Sequence, residues 1–146
     1  EIVLAKRSKY QFALFFIDLD GFKNINDTYG HEVGDCVLKV VSKRIAQSLR
    51  DVDTVARVGG DEFIIIISPV ESRQAIATVA QKVIETISAP IQAVEDEAFL
   101  GASIGIALYP DDSQNADELL KLADQAMYRV KHSGKNNFTF IGDGPE

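Results

Sequence analysis

The sequence predicts an α+β fold, a ferredoxin-like βαββαβ core with an αβ extension, in which helices pack around an antiparallel central sheet. Three observations predict it. Short apolar runs rich in β-branched and aromatic residues alternate with longer stretches whose apolar residues recur at helical spacing. The step Gly59-Gly60 separates two strand-like runs, as in an antiparallel hairpin. Finally, 46% of the 146 residues are hydrophobic, enough for one sizeable core in a single domain over 1–146.

The elements follow in order. Tyr10 to Leu19 (YQFALFFIDL) is a short aromatic-rich apolar run that breaks into acids, and reads as the first strand. From Asp35 to Arg50, residues Val37, Leu38, Val41, Ile45 and Leu49 form the apolar stripe of a helix. Val52–Val58 and Glu62–Ile67 read as the two arms of the hairpin, with glycine at 59 and 60 supplying the positive φ that a primed turn needs. The run of isoleucines in the second arm is expected to be buried on both faces. Ile76, Val79, Ala80, Val83, Ile84 and Ile87 mark the next helix, stopped at Ala89-Pro90. Ala98–Tyr109 is a further strand region. Asn115 followed by Glu118 is a capping-box-like start for a helix striped by Leu119, Ala123, Met127 and Val130, which Gly134 ends. Asn137–Ile141 is the last strand. The pattern is accounted for by helices on one face of the sheet.

Charge and composition exclude several classes of function. A formal net charge of −7 argues against binding a nucleic-acid polymer or an anionic membrane, which want a basic face. A small anionic ligand stays possible, because a few lysines and a divalent metal supply local positive charge. The one cysteine, Cys36, permits no internal disulfide, suits a reducing compartment and reads as a small core residue. No apolar stretch of about 18 residues and no charged-then-apolar leader is present, so a soluble, cytoplasmic domain is expected. The chain begins at Glu1 and its only methionine is Met127, which suggests a domain excised from a larger protein.

Chemistry-bearing residues gather in three places. Asp18-Leu19-Asp20-Gly21-Phe22-Lys23 ends the first strand, and Gly59-Gly60-Asp61-Glu62 forms the hairpin tip. In this topology the first strand lies centrally beside the hairpin, so the two acid pairs can meet across neighbouring strands. Either pair alone would also suit a solvated turn. Together, clustered carboxylates repel unless a cation lies between them, and hard oxygen ligands suit Mg²⁺ or Mn²⁺. The third place is Lys131-His132-Ser133-Gly134-Lys135-Asn136, whose lysines either complement a helix C-terminus or meet phosphates. It is not a P-loop: position 129 is arginine, and no Ser or Thr follows Lys135. Phosphates bound here would be held by a metal, the lysines and the backbone amides of Gly21 and Phe22. His31, in a turn, and His132, near a helix end, lack partners at metal-ligand spacing and are assigned no catalysis.

Gly59-Gly60-Asp61-Glu62-Phe63 carries a resemblance to the GGDEF family, the bacterial diguanylate cyclases. Phe15–Asp35, Arg50–Phe63, Ser103–Pro110 and Ala123–Asn136 are similar to family segments in family order, so the resemblance covers nearly the whole chain. It implies a nucleotidyl-cyclase, polymerase-palm-like fold and the condensation of two GTP into cyclic di-GMP with loss of two pyrophosphates. It implies a homodimer, each domain holding one GTP.

Carried over by position, Asp18 and Asp61 would be carboxylate ligands of Mg²⁺ or Mn²⁺, with the Leu19 carbonyl contributing. Glu62 would assist metal binding or activate the attacking 3′-hydroxyl. Asn26 and Asp35 would hydrogen-bond the guanine edge, giving a preference over adenine. Lys23, Lys131 and Lys135 would lie against the phosphates, Lys23 with a share in catalysis. Gly21 and Phe22 would offer backbone N–H groups, and Gly59 and Gly60 would let the ligand approach closely.

Arg50-Asp51-Val52-Asp53 is similar to the family's inhibitory RxxD, implying an allosteric site for cyclic di-GMP formed by Arg50 and Asp53, with Arg73 a candidate second arm. Two departures stand out. Lys135 replaces the family's usual arginine, which keeps charge but loses bidentate geometry. The family's upstream helix and turn would precede Glu1, so the fragment is expected to turn over poorly. The alternative to a cyclase is a non-synthesising GGDEF domain that senses GTP or cyclic di-GMP and regulates a neighbouring domain.

Overall fold

The computed structural model describes residues 11–143. Its centre is a five-stranded sheet in the order β2-β3-β1-β6-β7, formed by β1 (Phe12–Asp20), β2 (Thr54–Arg57), β3 (Glu62–Ile67), β6 (Gly101–Tyr109) and β7 (Asn137–Phe140). Strand β1 is antiparallel to both β3 and β6, and β7 joins the edge in parallel with β6. The expected α+β architecture and the central place of the first strand are observed. Of the first strand's expected span, Tyr10 lies outside the described residues.

Helices cover both faces of the sheet, which corrects the expectation of one covered face. Ala13, Phe15, Ile17 and Leu19 of β1 point to a core shared with α2 (His31–Gln47) and α3 (Arg73–Ser88). The alternate residues Phe12, Leu14 and Phe16 face α4 (Ala116–Lys131) through Leu119, Ala123 and Met127. Alternation along a strand sends successive side chains to opposite faces, so a strand apolar at every position demands a cover on each side. The close seat of α4 depends on Gly105. A Cβ there would stand 2.0 Å from the Ala123 carbonyl oxygen and 2.2 Å from the Met127 nitrogen. In β3 the burial alternates: Phe63, Ile65 and Ile67 are buried, while Ile64 and Ile66 are half-buried because α4 covers their side only in part.

Other expectations change in detail. The stretch after β1 holds an additional helix, α1 (Phe22–Tyr29), and α2 starts at His31, so that residue opens a helix. Before β6 a small separate hairpin, β4 (Ile91–Ala93) with β5 (Asp96–Ala98), packs against α2. Arg44 holds that junction by donating to the carbonyls of Ala89 and Pro90, each at 2.7 Å. Cys36 is exposed on α2, not buried, because it falls outside the Val37, Leu38, Val41, Ile45 stripe. Half of the capping box is formed: the Asn115 side chain accepts from the Glu118 backbone N–H at 2.9 Å, while the Asn115 N–H donates to Ser113 Oγ at 3.0 Å and not to Glu118.

The hairpin tip also departs from expectation. Positive φ among the glycines occurs at 21, 30 and 134, and not at 59 or 60. The β2–β3 connection spans residues 58–61 and is closed by the Val58 N–H donating to the Glu62 carbonyl at 3.0 Å. A connection of this length does not require the two-residue primed turn, and so the glycines are released from that duty. Gly59 serves space instead: a Cβ there would come within 2.8 Å of Glu62 Oε1.

Candidate active site

The end of β1 and the start of β3 are locked side by side. Asp18 stands opposite Glu62 in the strand register, and the Leu19 N–H donates to the Asp61 carbonyl at 3.1 Å. The acids at the end of one strand and the tip of the other are thereby held on rigid backbone, which positions them better than loops would. Directly after β1, Gly21 turns the chain with φ 88 and caps α1. The first turn of α1 carries Lys23, and the end of α4 brings Lys131 and Lys135 from the other side of the sheet.

These elements enclose a cavity of about 430 Å³ lined by Asp18, Leu19, Gly21, Phe22, Lys23, Asn24, Asp27, Asp61, Lys131 and Lys135. Carboxylates thus face a wall of lysines and the free amides at a helix N-terminus, a setting suited to a phosphate chain with a divalent cation. Burial, then the nearby charge of Asp61, raise Asp18 from the usual carboxylate range to about 6, although Lys131 pulls the other way. Burial and the charges of Asp61 and Asp124 also push Glu62 upward. For Lys131, burial works against the charge, but a hydrogen bond to Asp20 and the charges of Asp18 and Asp20 outweigh it and raise its pKa. Its ammonium lies 2.7 Å from Asp20 Oδ1 and 3.6 Å from Asp18 Oδ1.

The donor set fits a hard divalent cation. It consists of carboxylate and carbonyl oxygens, and burial first, then the charge of Asp61, pushes both Asp18 and Glu62 upward. Among the described residues no three acidic, histidine or cysteine side chains converge to hold a metal by themselves. Mg²⁺ usually takes one or two protein carboxylates and completes its shell with water and substrate phosphates.

The other residues named from sequence, Asn26, Asp35, Gly59, Gly60 and Glu62 among them, are not part of the cavity lining. Asn26, on α1, projects against α2, where a Cβ on Gly34 would fall 1.7 Å from Asn26 Oδ1; the missing side chain at 34 leaves room for the amide beside Asp35. Asp35 itself is exposed. The Glu62 carboxylate lies over Gly59, where a Cβ would come within 2.8 Å of Oε1. Gly60 has open space where a Cβ would go.

Arg50 and Asp53 lie at the far end of β2, before Thr54, which pairs with Ile66 near the end of β3. They are engaged with each other: Arg50 Nη2 donates to Asp53 Oδ1 at 3.0 Å and Arg50 Nε to Oδ2 at 3.2 Å. Arg73 is stacked 4.2 Å above the Phe140 ring and paired with Asp143. Sequence reasoning missed Asn24 and Asp27 as cavity residues. The available signal was Asp27 four residues after Lys23 and three after Asn24, the spacing of one helix face, hidden while α1 went unread.

The family described as "Diguanylate cyclase, GGDEF domain" matches residues 1–137. The chain belongs to the GGDEF family. MucR of Pseudomonas aeruginosa, named as a bifunctional diguanylate cyclase/cyclic di-GMP phosphodiesterase, is 48% identical over 94% of this chain and 20% of its own length. The chain therefore spans about a fifth of that curated relative. Among solved structures, the GGDEF domain of TpbB from the same organism superposes with a TM-score of 0.91 at 38% identity, covering 96% of this chain and 82% of that one. The GGDEF domain of DgcB from Caulobacter crescentus, solved in complex with c-di-GMP, gives a TM-score of 0.84 at 28% identity over 96% of this chain and 83% of that one. The palm-like cyclase architecture is thus shared with GGDEF domains of known structure.

Proposed function

We propose that this GGDEF domain is a diguanylate cyclase, part of a larger signalling protein, that joins two GTP into cyclic di-GMP. The observation that carries the reading is the single cavity in which Asp18 and Asp61 face Lys23, Lys131 and Lys135 around the backbone of Leu19, Gly21 and Phe22. The 3′-hydroxyl of one GTP attacks the α-phosphate of the other, the bond between the α- and β-phosphates breaks, and pyrophosphate leaves. A second, symmetric attack closes the ring. Such chemistry needs in-line placement and charge neutralisation more than covalent help from protein.

Asp18, Asp61, the Leu19 carbonyl and Glu62 would hold Mg²⁺ or Mn²⁺. When bound, the cation neutralises phosphate charge and acidifies the attacking hydroxyl. The protein supplies the rest. Lys23, Lys131 and Lys135 bind the triphosphate, joined by the amides of Gly21 and Phe22 at the N-terminus of α1. Glu62, whose carboxyl is pushed upward by burial and by Asp61, would accept the 3′-hydroxyl proton. Asn26 and Asp35 read the guanine edge; a carboxylate accepts together from N1–H and the exocyclic amine, donors that adenine does not offer. Gly59 and Gly60 leave the tip open to ligand. Because each domain holds one GTP, catalysis requires a two-fold pair of domains.

Product would bind Arg50 and Asp53 and restrain the enzyme. That step has a built-in cost, since the two side chains already satisfy each other. No helix among the described residues is long and apolar enough to cross a membrane. The site of action proposed is the cytoplasm, where GTP is available, with no nucleic-acid polymer or lipid surface as partner.

Incubating the domain with GTP and Mg²⁺ and resolving the products by chromatography tests the reading. Cyclic di-GMP that disappears in Asp61→Ala is the expected result. GTP or cyclic di-GMP bound tightly without synthesis would replace the cyclase with a sensing domain that regulates a neighbour.

A further inference from the structure

Asp18 and Asp20 stand two apart on β1 and so share one face of the strand. As a DxD pair they look like equivalent ligands for a cation. Their surroundings differ sharply. The Asp18 side chain faces the cavity, whereas Asp20 is 8% exposed and both of its carboxylate oxygens are taken. Oδ1 accepts from the Lys131 ammonium at 2.7 Å and from the buried Ser103 hydroxyl at 2.8 Å, and Oδ2 accepts from the Asn136 backbone N–H at 2.8 Å.

Two of those three donors, Lys131 and Asn136, lead to the lysine wall. Lys131 is gripped directly. The Asn136 contact closes the turn after α4, in which Lys135 has φ 62 and Asn136 φ 48. Two successive non-glycine residues in the left-handed region are strained and persist only where the surroundings hold them. Here Lys135 N–H reaches the Val130 carbonyl at 3.0 Å, Ala102 N–H reaches Asn136 Oδ1 at 3.2 Å, and Asp20 holds Asn136 N–H between them. The turn carries Lys135 to the cavity.

We propose that Asp20 is a positioning residue for the nucleotide phosphates, acting through Lys131 and the Lys135-Asn136 turn, and is not a metal ligand. The inference rests on the reading that this cavity takes the GTP phosphates, and it divides the DxD pair into two jobs. Asp18 is given over to the cation when substrate arrives. Asp20 keeps Lys131, a long side chain free to swing, beside the cavity at the moment its second contact, to Asp18, is lost. A cation seated on Asp20 would have to displace an ammonium and two neutral donors.

A binding cycle with a non-hydrolysable GTP analogue and Mg²⁺ tests this, using Asp20→Asn, Lys131→Gln and the double variant. Asp20→Asn is expected to weaken the analogue by about tenfold, the scale of losing a group that orients a ligand-binding side chain. In the Lys131→Gln background the same change is expected to add only about twofold, the departure from additivity that marks residues acting as a unit. Guanosine, which lacks phosphate, is expected to bind both proteins alike. Equal losses in both backgrounds, or an equal loss for guanosine, would overturn the inference in favour of a purely structural role. A loss of Mg²⁺ binding without nucleotide as large as that of Asp18→Asn would overturn it in favour of a ligand. If the unsubstituted domain binds no analogue, the phosphate reading itself falls and this inference with it; loss of coupling alone removes only the inference. Should Asp20→Asn not fold, Asp20→Glu, which keeps the charge but displaces it by one methylene, enters the same cycle with the same outcomes.

Discussion

The two ends of the β2–β3 hairpin both carry acids, and they handle them in opposite ways. At the tip, Asp18 lies near Asp61 and Glu62, and burial first, then the charge of Asp61, raises it to about 6. At the base, Asp53 has a side chain only 3% exposed, yet Arg50 clasps both of its oxygens. A buried carboxylate must find a cation or hydrogen-bond donors. The base contains its own cation, and the tip borrows part of one, Lys131, already engaged by Asp20. The difference teaches what a ligand would meet at each end: a cation brought to the tip would relieve crowded carboxylates, whereas a ligand at the base would first have to part an existing pair.

The comparison is broken most severely by Asp61→Ala. Synthesis of cyclic di-GMP is expected to fall by on the order of 10²–10³-fold or more, the loss that follows removal of a group neutralising charge in the transition state. Initial rates of product formation measure it. Next in size is Asp35→Ala, expected to lower the preference for GTP over ATP by roughly ten- to a hundredfold, the worth of one bidentate base contact. Competition between the two nucleotides for the domain reads it.

A smaller effect sharpens the electrostatic contrast. Asp18 titrates near 6 in the folded domain, above the 3.8 of the free side chain. The folded state therefore binds more protons between those values, and metal-free stability falls as pH rises from about 4 to about 6. Asp18→Asn is expected to flatten that slope and raise metal-free stability at neutral pH by about 1 kcal/mol or less once solvent screening is counted. Thermal melts across pH, repeated with Mg²⁺ and the GTP analogue, check it: saturating ligand should stabilise the unsubstituted domain and leave Asp18→Asn nearly unchanged. Smallest in its effect on synthesis is Arg50→Ala, expected to cost about 1–3 kcal/mol of stability because it takes the cation from a carboxylate whose side chain is only 3% exposed. It should leave the initial rate within about twofold, since the pair is remote from the tip, while added cyclic di-GMP no longer slows the reaction. Inhibition surviving in Arg50→Ala would place the product elsewhere.

How much was legible depended on distance along the chain. The acids of the first strand and of Gly59-Gly60-Asp61-Glu62 sit in short contiguous stretches bordering strong strand patterns, so they could be named directly. Helix α1 could not, because only Phe22 and Ile25 of its eight residues are buried and its Asn, Asp and Thr favour turns when read locally. Its Asn24 and Asp27 were lost with it. Strands β4 and β5, of three residues each, lie below the length at which alternation can be recognised. The glycines at the tip were assigned a positive φ by analogy with two-residue hairpins, and the longer connection removed the need.

By itself the sequence determined the class of fold, the order of its longer elements, the family and the chemistry of the donors, because periodicity and motif are properties of neighbours along the chain. Tertiary structure decided which face α4 covers, since that depends on the close seat at Gly105 against Ala123 and Met127. It also decided that Arg50 and Asp53 neutralise each other, and that the two aspartates of one strand have different partners. Ser103, Lys131 and Asn136 meet Asp20 across separations of 83, 111 and 116 residues. A hydrogen bond reaches only about 3 Å, so which donor arrives at a carboxylate is set by packing, not by the residue's neighbours in sequence.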